Sequence, residues 1–239
     1  LRNVGDANNY AGPVTLASAS TIGVNAGTTL TNSGVISGDA DADWNKVDTG
    51  TLVLSNTGND FAGDLTISGG VVRITATGAL GATSAGTIVK DGGALELSAA
   101  GNYPAEALTI AGTGISGAGA VRKIDSTSRT YGGTITLTAD SKIAVDAGGL
   151  VPQDTIDLSG NTLYLDVTAG FSMGTSCSIQ NATKTTDDGA FYLTGSSYAR
   201  LDTRDDMTGD FTVDGSELRL HDADTGTGLP AGGVLTLTD

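Results

Sequence analysis

The stretch Asp64-Leu65-Thr66-Ile67-Ser68-Gly69-Gly70, with Val72-Arg73-Ile74 directly after it, decides the fold. It is a short run of alternating apolar and small polar residues, closed by glycines, and then a second such run. The phrase recurs as Thr51-Leu52-Val53-Leu54-Ser55, Ala94-Leu95-Glu96-Leu97-Ser98, Ala107-Leu108-Thr109-Ile110-Ala111-Gly112 and Gly133-Thr134-Ile135-Thr136-Leu137-Thr138. Alternation with a period of two is the mark of a strand with one face in a core. It sends Leu52, Leu54, Leu95 and Leu97 inward and leaves Val53 and Glu96 outward. A chain built by repeating one phrase supplies length, stiffness and surface rather than one unique pocket.

Spacing turns the phrase into a coil. The first apolar residues of successive strands are Leu52, Leu65, Val72, Ile88, Leu95, Leu108, Ile135, Ile143, Ile156 and Leu163. A long step plus a short one returns about 20 to 23 residues each time, enough for two or three short strands and their turns. Each coil then lies on the one before it in parallel register at a rise of roughly 4.8 Å, the rest of the coil serving as the crossover. The expected fold is all-β, a parallel β-helix (β-solenoid) of about 11 coils and about 50 Å. Glycine pairs such as Gly69-Gly70, Gly92-Gly93 and Gly148-Gly149 fall where strands stop, where the chain turns sharply. No helical periodicity persists over two turns.

Composition agrees. Of 239 residues 36 are glycine, 38% are hydrophobic and only 5% aromatic, which suits a thin interior filled by Val, Ile, Leu and Ala. Twelve Lys and Arg against 27 Asp and Glu give a net charge of −15, a surface that repels phosphate backbones, so nucleic acid is excluded as a partner. The same charge discourages lateral aggregation of strands. Cys177 is the sole cysteine and reads as a small buried hydrophobe. No apolar run is long enough for a transmembrane segment.

A slower repeat overlies the fast one. Leu1-Arg2-Asn3-Val4, Tyr10 to Leu16 and Thr21 to Gly27 return half a chain later as Val121-Arg122-Lys123-Ile124, Tyr131 to Leu137 and Lys142 to Gly148. The expectation is two continuous β-helix modules, 1–120 and a diverged 121–239. The stretch Ser172 to Asp188 interrupts the repeat and is the expected place for a specific contact.

The run Gly50 to Ser55, then Asn59-Asp60-Phe61-Ala62-Gly63-Asp64 to Gly70, then Val72-Arg73-Ile74 and Gly78-Ala79-Leu80-Gly81, resembles the autotransporter-associated β-strand repeat. The likeness is strong over 1–150 and weaker over 150–239. It implies a right-handed parallel β-helix, export to the extracellular space or cell surface, and usually no catalysis.

Candidate chemistry is sparse. A glycan-active β-helix enzyme needs clustered carboxylates and aromatic platforms. Asp202, Arg204, Asp205, Asp206 and Asp210 form one cluster, and His221, Asp222 and Asp224 another. Both read first as solvated acidic turns, the aromatics being few and scattered, and no catalytic residue is assigned. Asp39, Asp41 and Asp43, like Asp222 and Asp224, place carboxylates two residues apart on one strand face, which makes them weak calcium candidates. Neither stretch matches a calcium-loop pattern, so no cofactor is expected beyond a possible structural calcium. His221 is the only histidine, which leaves a zinc site or a His-based triad short of ligands.

Neither Leu1 to Val4 nor Val234 to Asp239 reads as a polar cap, and a bare solenoid end exposes strand edges and apolar interior. The expectation is self-association through these ends, or continuation in a longer chain, in an extracellular rod, fibre, sheath or surface layer with structural or adhesive function. A cell-surface or glycan ligand is compatible with that role. The alternatives are a virion component, such as a tail-fibre shaft or capsid decoration, and a glycan-active lyase or hydrolase.

Overall fold

The structure, a computed structural model, describes residues 1–186, 189–202, 208–221 and 234–238. It is a β-solenoid of about 10 turns with parallel strands and almost no helix. Three stacks of strands make its faces. Face 1 holds Arg2–Asn3, Ser20–Val24, Trp44–Val47, Leu65–Ile67, Gly86–Val89, Ala107–Gly112, the start of Ile135–Val145, Ile156–Asp157 and Ile179–Gln180.

Face 2 holds Ala7–Tyr10, Thr29–Asn32, Thr51–Leu54, Gly70–Ile74, Gly93–Leu97, Val121–Lys123, the end of Ile135–Val145, Leu163–Val167, Phe191–Gly195, Phe211–Asp214 and Leu235–Thr238. Face 3 is regular only in parts: Val14–Leu16 with Ile36–Gly38, and later Ser128–Tyr131, Gly149–Pro152, Gly170–Ser172, Tyr198–Asp202 and Glu217–His221. Between those parts the backbone still bonds coil to coil, as in Asp60 N–H to Ile36 O (3.0 Å) and Ala82 N–H to Phe61 O (2.9 Å).

Register stacks like on like. Along face 2, Leu30, Leu52, Val72, Leu95, Val121, Ile143, Leu165, Leu193 and Val213 form one inward row, each paired to the next. All nine are buried. At roughly 1.5 to 3 kcal/mol per buried aliphatic side chain, such rows are the main source of cohesion. Aromatics fill the wider places: Trp44 meets Phe61 edge to face at 5.3 Å, and Phe191 stacks on Phe211 at 5.4 Å.

Most coils advance by the expected period, as from Leu30 to Leu52 and from Val72 to Leu95. Among the described residues the longest coils run from Leu95 to Val121 and from Leu165 to Leu193. The first excess is the turn around Ile115–Gly117, and the second lies within residues 168–190. The expected interruption at 172–188 is largely threaded into the wall rather than projecting. Met173, Cys177, Ile179 and Ala182 are buried, and Ile179–Gln180 pairs with Ile156–Asp157.

The half-chain echo takes an unexpected position. Asn3 and Ile22 lie on face 1, but their counterparts Lys123 and Ile143 lie on face 2, and Tyr10 on face 2 is echoed by Tyr131 on face 3. The repeated text has advanced by one face. All three faces need the same in-out-in pattern, so one sequence can serve on any of them. The ladder runs through the midpoint unbroken, Val121 pairing with both Leu95 and Ile143.

Among the described residues, two lysines sit wholly inside. Lys46 and Lys123 are at 0% exposure, each at an inward position of its strand. Lys46 Nζ donates to the carbonyls of Asp48 (2.6 Å), Gly50 (2.8 Å) and Gly69 (2.8 Å). Lys123 Nζ donates to those of Asp125 and Thr127 (both 2.8 Å) and pairs with the Asp125 carboxylate at 2.6 Å. Lys46-Val47-Asp48 and Lys123-Ile124-Asp125 are thus one device: an ammonium that supplies the donors a sharp corner lacks.

Candidate functional site on the second face

The outward positions of face 2 carry the densest side-chain chemistry among the described residues. Strands about 4.8 Å apart place one outward residue above another. One row reads Val53, Arg73, Glu96, Arg122, Ala144, Asp166, Thr194 and Asp214. Opposite charges pair from coil to coil along it. Arg73 Nε donates to Glu96 Oε2 (2.7 Å), Arg122 Nη1 to Glu96 Oε1 (2.8 Å), and Arg122 Nη2 to Asp146. Further along, Lys142 Nζ pairs with Asp166 Oδ2 at 2.7 Å.

Glu96 corrects the sequence reading. It points outward as expected, yet it is only 4% exposed, and every residue of Gly93–Leu97 is buried. An overhang from Gly112 to Gly119 lies across the face there. Its single turn, Ile115–Gly117, departs from helical geometry at Ser116 (φ 54°), and Gly112, Gly114, Gly117 and Gly119 also take positive φ. Only glycine adopts that many left-handed conformations in so short a stretch without strain. Gly112-Thr113-Gly114 and Gly117-Ala118-Gly119 therefore build the overhang. Between it and the sheet is a pocket of about 270 Å³, lined by Val71, Ala94, Ile115 and Ala118 with Glu96 and Arg122.

Beyond the overhang the face turns aromatic. Lys142, Tyr164, Tyr192 and Thr212 stand in one outward row. The Tyr164 and Tyr192 rings are 5.9 Å apart, and Tyr192 donates its hydroxyl to Asp214 Oδ2 at 3.1 Å. A whole long coil separates the two tyrosines along the chain, yet parallel register makes them neighbours, so the reading of scattered aromatics does not hold for them. On face 3, the Arg219 guanidinium lies 3.9 Å from the Tyr198 ring centre. Trp44, by contrast, is buried in the core.

A further acid lies in the described interior. Glu106 is 1% exposed beside a small enclosed cavity walled by Leu80, Tyr103, Pro104 and Tyr131. Thr87 Oγ1 donates to its Oε1 at 2.7 Å, and Tyr131 donates to its backbone carbonyl at 2.9 Å. Its Oε2 has no hydrogen-bond partner among the described residues. Burial pushes its pKa up to about 8, against the Thr87 bond and with help from the Asp64 charge. Sealed from solvent, Glu106 cannot reach a substrate, and Glu96 is held between two arginines.

The sequence candidates are placed as follows. Asp39, Asp41 and Asp43 are not drawn into a common site: Asp41 and Asp43 stand at the corner before Trp44–Val47, and Asp43 Oδ1 accepts the Asp64 N–H at 2.8 Å. Among the described residues no group of three or more His, Cys, Asp or Glu side chains is placed to hold a metal ion. Asp210 Oδ1 accepts the Val234 N–H at 2.8 Å, fastening a corner. Asp202 and His221 end strands of face 3, while Arg204, Asp205, Asp206, Asp222 and Asp224 lie outside the described residues. Sequence reasoning missed the Lys46 and Lys123 corners, whose shared Lys-x-Asp spelling was a readable signal.

This solenoid, with its three stacked ladders, is the setting for one comparison. Residues 45–74 match the passenger-associated-transport-repeat. The match runs from the second residue of the strand Trp44–Val47 through Gly70–Ile74 and takes in the whole Lys46 corner, and it agrees with the autotransporter-type repeat expected from the sequence. Neither a curated protein nor a solved structure matches the chain. Repeat and fold together fit a surface-associated, passenger-like structural protein. No described helix is long and apolar enough to cross a membrane.

Proposed function

We propose that this chain is a non-enzymatic structural segment of an exported bacterial surface rod, lengthened by coil-on-coil contact between copies. The observation that carries it is the stack itself: the described strands of face 2 bond coil to coil in parallel register along the axis, with a passenger-type repeat built into them. A solenoid of this kind is a stiff rod that each added coil extends, and coil-on-coil contact between copies is heterologous and continues it into a fibre. The repeat match supports export, and the net charge of −15 keeps the flanks of the rods apart.

Sedimentation velocity across a concentration series, with negative-stain electron microscopy, tests the reading. Rods should lengthen as the concentration rises. A monomer that persists at every concentration overturns end-to-end assembly. Failure of the chain to appear outside the cell, when fused between an export signal and an outer-membrane translocator, overturns the surface assignment.

A further inference from the structure

We propose that the outward side of face 2 between Lys142 and Asp214 is a contact site for a neutral oligosaccharide. The inference goes beyond the scaffold reading and holds whether or not the rods assemble.

Sugar rings are recognised by aromatic faces that meet their C–H surface and by fixed acceptors for their hydroxyls. Face 2 supplies both in adjacent rows. Tyr164 and Tyr192 are partly exposed and stand on consecutive strands, their ring centres 5.9 Å apart. Two residues along the same strands, the outward row offers Asp166, Thr194 and then Asp214.

Both carboxylates are already oriented, Asp166 by Lys142 Nζ at 2.7 Å and Asp214 by the Tyr192 hydroxyl at 3.1 Å. Charged acceptors make the stronger hydrogen bonds to hydroxyl donors. Because the groups stand on paired strands, the site is preorganised, and binding orders little of the protein.

Charge selects among ligands. Lys142 is matched by Asp166, which leaves Asp214 and a molecule of net charge −15 around the tyrosines. A polyanionic glycan is repelled and a neutral chain is not. The platform runs along the rod axis, so it favours an extended chain over a single sugar.

Native affinity electrophoresis of the full chain in gels containing neutral β-glucan, mannan or xylan tests the proposal, with heparin as the polyanionic control. Migration should be retarded by at least one neutral polysaccharide and not by heparin. The double variant Tyr164→Ala/Tyr192→Ala should bind roughly tenfold or more weakly, about 1.4 kcal/mol. Tyr164→Phe/Tyr192→Phe should retain most of the binding, because the ring faces remain. If the alanine variant loses the buried Trp44 fluorescence signal, Asp166→Asn/Asp214→Asn decides instead and should also weaken retardation. Absence of retardation in every neutral gel, retardation by heparin alone, or unchanged retardation in the alanine and asparagine variants overturns the proposal.

Discussion

The ammonium of Lys46 lies 2.8 Å from the carbonyl oxygen of Gly69 on the next coil, while also holding the carbonyls of Asp48 and Gly50 in its own corner. One buried charge thus joins two turns of the solenoid. Gly70 makes room for it, since a Cβ there would strike Lys46 Nζ. Burial lowers the Lys46 pKa to about 8, the Asp48 charge opposing that fall. Lys46→Met keeps the apolar stem and removes three donors. We expect a loss of about 2 to 4 kcal/mol, read as a lower urea midpoint in Trp44 fluorescence, because the carbonyls stay buried without partners. An unchanged midpoint would show that water replaces the ammonium.

Glu106 makes stability depend on pH. Its folded pKa, raised to about 8 from 4.5, means that the folded state holds a proton the unfolded chain releases. This contribution is complete below about pH 4.5 and is lost as pH rises to about 8. The groups facing it are Thr87, Asp64, Tyr103 and Tyr131. Glu106→Gln cannot ionise and should flatten the profile, gaining on the parent by about 5 kcal/mol as pH climbs through that window. Thermal melts of both proteins at a series of pH values check this, and parallel curves refute it.

The Arg73, Glu96 and Arg122 ladder should respond to a single cut. Glu96→Ala leaves two arginines facing each other under the overhang, and a loss of about 1 to 3 kcal/mol is expected, since both guanidiniums are only partly buried. Glu96→Gln should cost less. Chemical denaturation of the two variants at low and at high salt measures the effect, with salt reducing the alanine deficit as it screens the arginine pair.

The overhang can be lifted without cutting it. Gly119 has φ +126°, and a Cβ there would come 3.0 Å from Arg122 Cγ and 3.1 Å from Ala144 Cβ. Gly119→Val should raise amide hydrogen exchange across 112–120 and expose Glu96, with a global cost of about 1 to 3 kcal/mol. Exchange confined to its parent pattern would mean that the sheet yields instead.

Much of this architecture was legible in the sequence. Strand alternation around Leu52, Leu65, Val72 and Leu95, glycines at the corners and the steady spacing of the phrase led to a parallel solenoid. Pleat and rise leave a repeating short strand few other ways to bury its apolar side. The passenger-type repeat was legible for the same reason, being a pattern of in, out and corner. The sequence also declared Cys177 and Trp44 as the sole residues of their kinds.

Tertiary structure decided the rest, wherever a property depends on what lies one coil away. Which residue stands above Tyr164 depends on the length of the intervening coil, and coil length varies at every insertion. Glu96 points outward in any reading of its strand, and only the overhang from the next turn buries it. Lys46 and Lys123 look like surface lysines until the corners they serve close around them. Alternation along a strand is a local property and is written in the chain. Neighbours across the coils are set by register, which only the completed stack fixes.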